Sequence, residues 1–262
     1  MHSYRTSRLS VRSDVVLPGL VTMPEGATSP DVAVHRHRVP ATLGDATQKG
    51  PTWEIAGEQL LLRIPGVARF LLRAGHDISY DLEDGVPASA AATFILGTVF
   101  GILLHQRELI VLHASAACAG DKAGLFCGPS GAGKSTLAAA LVPCGYSLLN
   151  DDFCAIGLDP AGAPLAHSDG RQLKLWAEAI ERLDLADPRG AAVRSGLEKF
   201  YVAPQAASAE ALPLGAVYML RETRPPLRDG IQRRNLADAA LLAAACGRYR
   251  TGRSRVCRLH AE

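Results

Sequence analysis

The six cysteines of this 262-residue chain form no Cys-x-x-C pair and stand at no zinc-ligand spacing with histidine, so zinc-binding modules drop out at once. Cys118, Cys127, Cys144 and Cys154 fall among apolar or small residues, where a thiol behaves as a small hydrophobe. The expectation is reduced core cysteines in a cytoplasmic protein. An excess of one charge is missing as well. The formal net charge of +2 gives no electrostatic reason to expect nucleic acid or a membrane surface as the partner. The first residues, Met1-His2-Ser3-Tyr4-Arg5, lack the apolar stretch of a signal peptide, which again favours the cytoplasm.

What the chain does have is a hydrophobic share of 48%, enough for one sizeable core or for a core plus a small satellite. The run 88–104, ASAAATFILGTVFGILL, carries no charge and falls just short of the ~20 apolar residues that span a bilayer. A helix buried between a sheet and another layer is expected there, ending near 105–107. Before it, 53–64, 67–73 and 77–82 hold apolar and β-branched residues between Gly and Pro breaks, the pattern of an antiparallel meander. The stretch 26–50 reads as loop, and His35-Arg36-His37-Arg38 as a solvated edge strand. Residues 1–85 are thus expected to form a small β-rich N-terminal domain.

Beyond residue 86 the pattern changes. Buried strands are expected over 109–117, 124–127, 146–150 and 153–157, with a shorter one at 217–220. Helices are expected over 135–142, 173–183 and 236–245, the last followed by a basic tail with five arginines over 247–258. Strands alternating with helices around a glycine-rich turn make 86–262 an α/β domain.

That turn is Gly128-Pro129-Ser130-Gly131-Ala132-Gly133-Lys134-Ser135, a complete G-x-x-x-x-G-K-[ST] phosphate loop. Glycines let its N–H groups approach an anion, and the following helix turns its positive end to the same phosphates. Lys134 supplies a cation for the β- and γ-phosphates, and the Ser135 hydroxyl suits magnesium. Nucleotide contacts are expected from Gly128, Ser130, Gly131, Ala132, Gly133, Lys134, Ser135 and Thr136. No LSGGQ-like stretch, no apolar run ending in Asp-Glu and no N-K-x-D motif accompanies the loop, which removes most of the weight from transporter ATPases and GTPase switches.

Asp151 and Asp152 follow at the end of an expected strand. Neighbouring side chains on an extended strand point to opposite faces, so only a bend lets both carboxylates face the nucleotide. One would hold magnesium and the other would take the proton of an attacking hydroxyl. Ser135 and Asp152 are the candidate metal ligands, although either aspartate fits either role. His113 lies in an apolar strand, where a lone histidine is as a rule a satisfied core residue. Further cations for a transferring phosphoryl group are offered by Arg171, Lys174, Arg194 and Lys199, with Lys174 and Lys199 the preferred pair. Arg171 and Lys174, three apart, would share a helical face, and the stretch with Arg194 and Lys199 would form a lid.

The run 112–156 carries a family resemblance. In order, His113 on a strand, the loop 128–135 and Gly145-Tyr146-Ser147-Leu148-Leu149-Asn150-Asp151-Asp152 resemble the core of the HPr kinase/phosphorylase family and its HPr kinase-related members, whose fold is shared with phosphoenolpyruvate carboxykinases. Thr136 stands where those kinases usually carry glutamate. The resemblance implies a P-loop kinase core, ATP and Mg2+ as cofactors, Asp151 or Asp152 as base, and His113 near the γ-phosphate. It implies a serine acceptor in a peptide or small protein, preferably a ribosomally made precursor of the lasso-peptide kind. A true HPr kinase and a nucleotide-binding switch without transfer are the alternatives, and a homo-oligomer is compatible with each.

Overall fold

The structure, a computed structural model, describes residues 1–24, 29–169, 172–185, 189–193, 196–203, 207, 210–221 and 230–231. Over the described residues it is mixed α/β with three sheets, and it divides into a first unit over Met1–Ile110 and a second beginning at Val111.

The first unit carries β1 (His2–Thr6), β2 (Leu9–Ser13), β3 (Val21–Thr22), β4 (Val32–Arg36), β5 (Gln48–Lys49), β6 (Trp53–Ala56), β7 (Gln59–Ile64), β8 (Ala68–Arg73) and β9 (Asp77–Leu82). They form one sheet in the order β3-β1-β2-β4-β9-β8-β7-β6-β5. The meander expected over 53–82 is present as four antiparallel strands. Cross-strand register lines up Val34, Ile78, Leu72 and Leu60 on one face. Leu61 and Leu71 point the other way and pack with Val39, Leu43 and Ala56. Apolar side chains on both faces explain why Leu60-Leu61-Leu62 and Phe70-Leu71-Leu72 are continuous rather than alternating. Buried Glu54 accepts from Leu43 N at 2.7 Å and from Arg63 Nη1 at 2.8 Å, pinning the loop that bears Leu43 to the sheet.

Two expectations change here. The strand holding His35 and Arg36 is not an edge: β4 lies inside the sheet, parallel to both β2 and β9. His35 is engaged there, its Nε2 3.2 Å from Ser79 Oγ and its Nδ1 3.5 Å from Asp77 Oδ1. Only the non-local partners decide whether a strand is central, so the local pattern could not. The unit boundary also moves, from 85/86 to 110/111. The apolar segment forms α1 (Ala88–Phe94), a π-helical turn (Ile95–Val99) and α2 (Phe100–Gln106). The turn comes at Gly97, whose φ of −100° and ψ of −113° leave the helical region. The end of α2 is tied to the meander: Gly75 N donates to Gln106 Oε1, Gln106 Nε2 to Glu58 O, and Arg107 Nη1 to Gly75 O, at 2.9–3.2 Å. Those bonds make the helix part of the first unit. The helix is long and apolar enough to cross a membrane by composition, and most of its large side chains are buried here.

The second unit contains β10 (Ile110–Leu112), β11 (Ala114–Ala119), β12 (Lys122–Cys127), α3 (Lys134–Leu141), β13 (Ser147–Asn150), β14 (Cys154–Leu158), β15 (Pro164–His167), β16 (Leu173–Trp176), α4 (Ala177–Arg182), β17 (Arg189–Ala192), β18 (Lys199–Val202) and β19 (Leu212–Met219). Seven strands run β10-β14-β15-β19-β12-β11-β13, and β16-β18-β17 form a smaller sheet. Ala138 and Ala139 of α3 pack against Phe126, Leu148, Leu173, Leu175 and Val202, which brings both sheets onto one helix.

The helix expected over 173–183 begins only at Ala177. Leu173, Trp176, Ile180 and Leu183 satisfy helical spacing, but burial alternates along the first four residues: Leu173 and Leu175 face the core while Lys174 and Trp176 do not. Period two wins because β18 is there to pair with. The single strand expected over 109–117 is two, broken at His113. The helix 236–245 and the basic tail lie outside the described residues.

Candidate active site

The phosphate loop leaves β12, whose end is held beside the only parallel neighbour that the described pairings give it. Leu220, just past β19, donates its N–H to Cys127 O at 2.7 Å. Gly128 follows at φ +152°, and a Cβ there would lie 2.8 Å from Leu220 O. A side chain would collide with backbone, so glycine is required by space as well as by torsion. Gly133, at φ +88°, makes the left-handed turn into α3. Between them Ala132 N closes a turn onto Pro129 O at 3.2 Å, while Pro129, Ser130 and Gly131 remain exposed. The loop crown therefore faces solvent, and the unsatisfied N–H groups of the first α3 turn, which includes Ser135 and Thr136, point the same way.

Lys134 is buried, and its Nζ donates to Gly128 O and Pro129 O, both at 3.0 Å. Burial pulls the pKa of this ammonium down, and the charges of Asp151 and Asp152 oppose the shift. A cation sheathed by loop carbonyls and balanced by two carboxylates suits the oxygens of a polyphosphate.

The two aspartates are set apart by the backbone. β13 ends at Asn150, which is fully buried and donates from Nδ2 to Phe153 O at 3.1 Å and to His167 O at 2.7 Å, bracing the turn. Asp152 occupies the left-handed region at φ +79°, uncommon for a residue with a side chain and so a local strain held by its surroundings. This is the bend that adjacent carboxylates need in order to serve one site.

Asp151, 1% exposed, accepts three hydrogen bonds. Its Oδ1 takes the hydroxyls of Ser115 at 2.6 Å and of Ser135 at 2.7 Å, and its Oδ2 takes the Lys174 N–H at 2.8 Å. Asp152 is more open. Its Oδ2 is 2.6 Å from Lys174 Nζ, with the side chains 24% and 15% exposed, and its Oδ1 is 3.3 Å from His113 Nδ1. His113 Nδ1 also lies 2.8 Å from the Asp152 carbonyl oxygen. A carbonyl can only accept, so Nδ1 carries a proton and donates it there.

The structure thus brings His113, Lys134, Ser135, Asp151, Asp152 and Lys174 together. Of the two aspartates, the structure hydrogen-bonds Ser135 to Asp151. Lys174 is on a strand, not on a helical face, and clips both aspartates, one through its backbone and one through its ammonium. Lys199 opens β18 opposite Trp176, with Nζ 5.7 Å from the indole centroid. It is therefore a strand residue rather than part of a lid. Arg171 and Arg194 lie outside the described residues. Ser115 was missed by sequence reasoning. Its one visible signal is a hydroxyl within the otherwise apolar stretch Ala114–Ala119 of a buried strand.

A magnesium ion fits this donor set, because Ser135 Oγ and the Asp151 carboxylate are hard oxygen ligands already in contact. Among the described residues no cluster of three His, Cys, Asp or Glu side chains could hold a metal by itself, so phosphate oxygens would have to complete such a site.

No protein-family model matches the chain, and no curated protein does. Among solved structures it is similar to the HPr(Ser) kinase/phosphatase from Coxiella burnetii, at 15% identity and a TM-score of 0.29. The overlap covers 46% of this chain and 65% of that one.

Proposed function

We propose that the chain is an ATP- and magnesium-dependent serine kinase whose acceptor is a peptide or small protein, with a ribosomally made, lasso-type precursor peptide preferred. One observation carries the kinase reading: the aspartates are divided, Asp151 being buried and bonded to the phosphate loop through Ser135, and Asp152 being the less buried of the two, beside His113 and Lys174. The acceptor class rests on the resemblance of the run 112–156 to HPr kinase-related enzymes.

Each residue then has one task. Lys134 and the loop N–H groups bind the triphosphate. Ser135 and Asp151 would hold magnesium, which when bound neutralises charge on the β- and γ-phosphate oxygens. The acceptor oxygen forms its bond to the γ-phosphorus while its proton passes to the Asp152 carboxylate. The bond from that phosphorus to the bridging oxygen breaks, and its electron pair leaves on the nucleoside diphosphate. Lys174 and His113 position Asp152, the first by ion pairing and the second by gripping its carbonyl.

The test is labelled ATP, magnesium and candidate serine peptides, followed by mapping of the phosphorylated residue. Asp152→Asn should lower transfer by about a hundredfold or more, the span of general-base contributions, and leave nucleotide affinity intact. A variant that transfers as well as the wild type, or one that loses the nucleotide, removes Asp152 from the role of base. Transfer to a small metabolite and to no peptide would sink the acceptor assignment.

A further inference from the structure

The small sheet extends the site in one direction. On β16, Leu173 and Leu175 are buried against α3, so Lys174 and Trp176 share the opposite face. Register places Tyr201 beside Lys174 and Lys199 beside Trp176 on that same face. The face therefore begins at the Lys174–Asp152 pair and ends two residues away at an indole that is 49% exposed. An exposed tryptophan on a rigid paired strand is costly to leave in water and well suited to packing on a ligand. Lys199 Nζ lies over that ring, and among the described residues no carboxylate is within ion-pair distance of it. Glu178, two residues after Trp176, is held by Arg182 at 2.6 Å.

We propose that Trp176 and Lys199 form the acceptor-docking ledge of this site, and that it takes an acidic peptide segment flanking the hydroxyl presented to Asp152. This rests on the kinase reading above. The Lys199 ammonium already lies over the indole, so a carboxylate meets a cation placed beside the ring, and the peptide backbone packs on the rest of the ring.

The test uses three synthetic peptides that differ only in the residues flanking one serine: aspartates, alanines or lysines. Phosphorylation is measured with labelled ATP and magnesium. Binding is measured separately by tryptophan emission in a Trp53→Phe background, where Trp176 is the remaining tryptophan of the chain's two. The acidic peptide should be preferred over the lysine peptide by roughly fivefold, the scale of a half-exposed ion pair, and Lys199→Glu should invert that order. Trp176→Ala should raise KM for every peptide by about fivefold or more. The ratio between peptides cancels any effect of Lys199 on nucleotide affinity. Transfer without an acidic preference, or a ratio unchanged by Lys199→Glu, overturns the ledge and leaves the kinase reading standing. Altered Trp176 emission with the acidic peptide alone, but no transfer, supports the ledge and removes the kinase reading. Neither binding nor transfer overturns both.

Discussion

Replacing Asp151 by asparagine separates its structural work from its chemical work. The carboxylate accepts from Ser115 Oγ, Ser135 Oγ and Lys174 N. An amide offers one acceptor and one donor group in the same shape. The Lys174 N–H cannot turn, so the amide oxygen must face it. The NH2 group then faces the two serine hydroxyls, which can rotate to accept. All three contacts survive, but without charge. A charged hydrogen bond contributes about 1.5–3 kcal/mol and a neutral one about 1, so the three together lose roughly 1.5–6 kcal/mol. Relief from burying an anion at 1% exposure offsets this by several kcal/mol. Asp151→Asn should therefore fold, with a melting temperature within a few degrees of wild type. Asp151→Ala should not fare so well. It strands the fully buried Ser115 hydroxyl and the Lys174 N–H, at about 1–3 kcal/mol each, which lowers Tm by on the order of 10 °C. Titration of a fluorescent ATP analogue with and without magnesium then reads the chemical role. Wild type should bind more tightly with the metal and Asp151→Asn should not. An asparagine variant that keeps the magnesium-dependent tightening, or that melts as low as the alanine variant, refutes the reasoning.

Gly128→Ala puts a methyl group 2.8 Å from Leu220 O, a backbone atom with little room to yield. The loop must shift, so nucleotide affinity should fall at least about tenfold and stability by about 1–3 kcal/mol; unchanged affinity in the same titration would contradict the clamp between β12 and β19. Acid should weaken the first unit through Glu54. The Leu43 N–H first, and then Arg63, hold this carboxyl below its ordinary value of 4.5 in the folded chain. A depressed folded value means the stabilisation is complete above that ordinary value and is lost as pH falls below it, through the lower value of the folded chain. Glu54→Gln should melt below wild type at about pH 7, with the gap beginning to close only as pH falls below the ordinary carboxyl value of 4.5. A gap that stays constant in melts across this range would place the contribution elsewhere.

What the sequence determined about this protein is what depends on neighbours along the chain. The loop 128–135 specifies its own turn and the helix after it, because glycine torsions, a lysine and a following run of helix formers are all local. The meander over 53–82 was legible for the same reason, its strands being joined by short turns at Gly57, Gly66 and Gly75. Tertiary structure decided what depends on distant partners. Whether 173–176 is helix or strand turned on β18, and whether the strand of His35 is an edge turned on β2 and β9. The boundary at 110/111 turned on Gln106 and Arg107 reaching back to earlier turns. In the site, the adjacent pair Asp151-Asp152 announced itself, but its division of labour did not. That division is made by Ser115, Ser135 and Lys174, 36, 16 and 23 residues away in the chain, and by a positive φ at Asp152. Hydrogen bonds across such separations form only once the sheets have closed on α3. No local pattern encodes them.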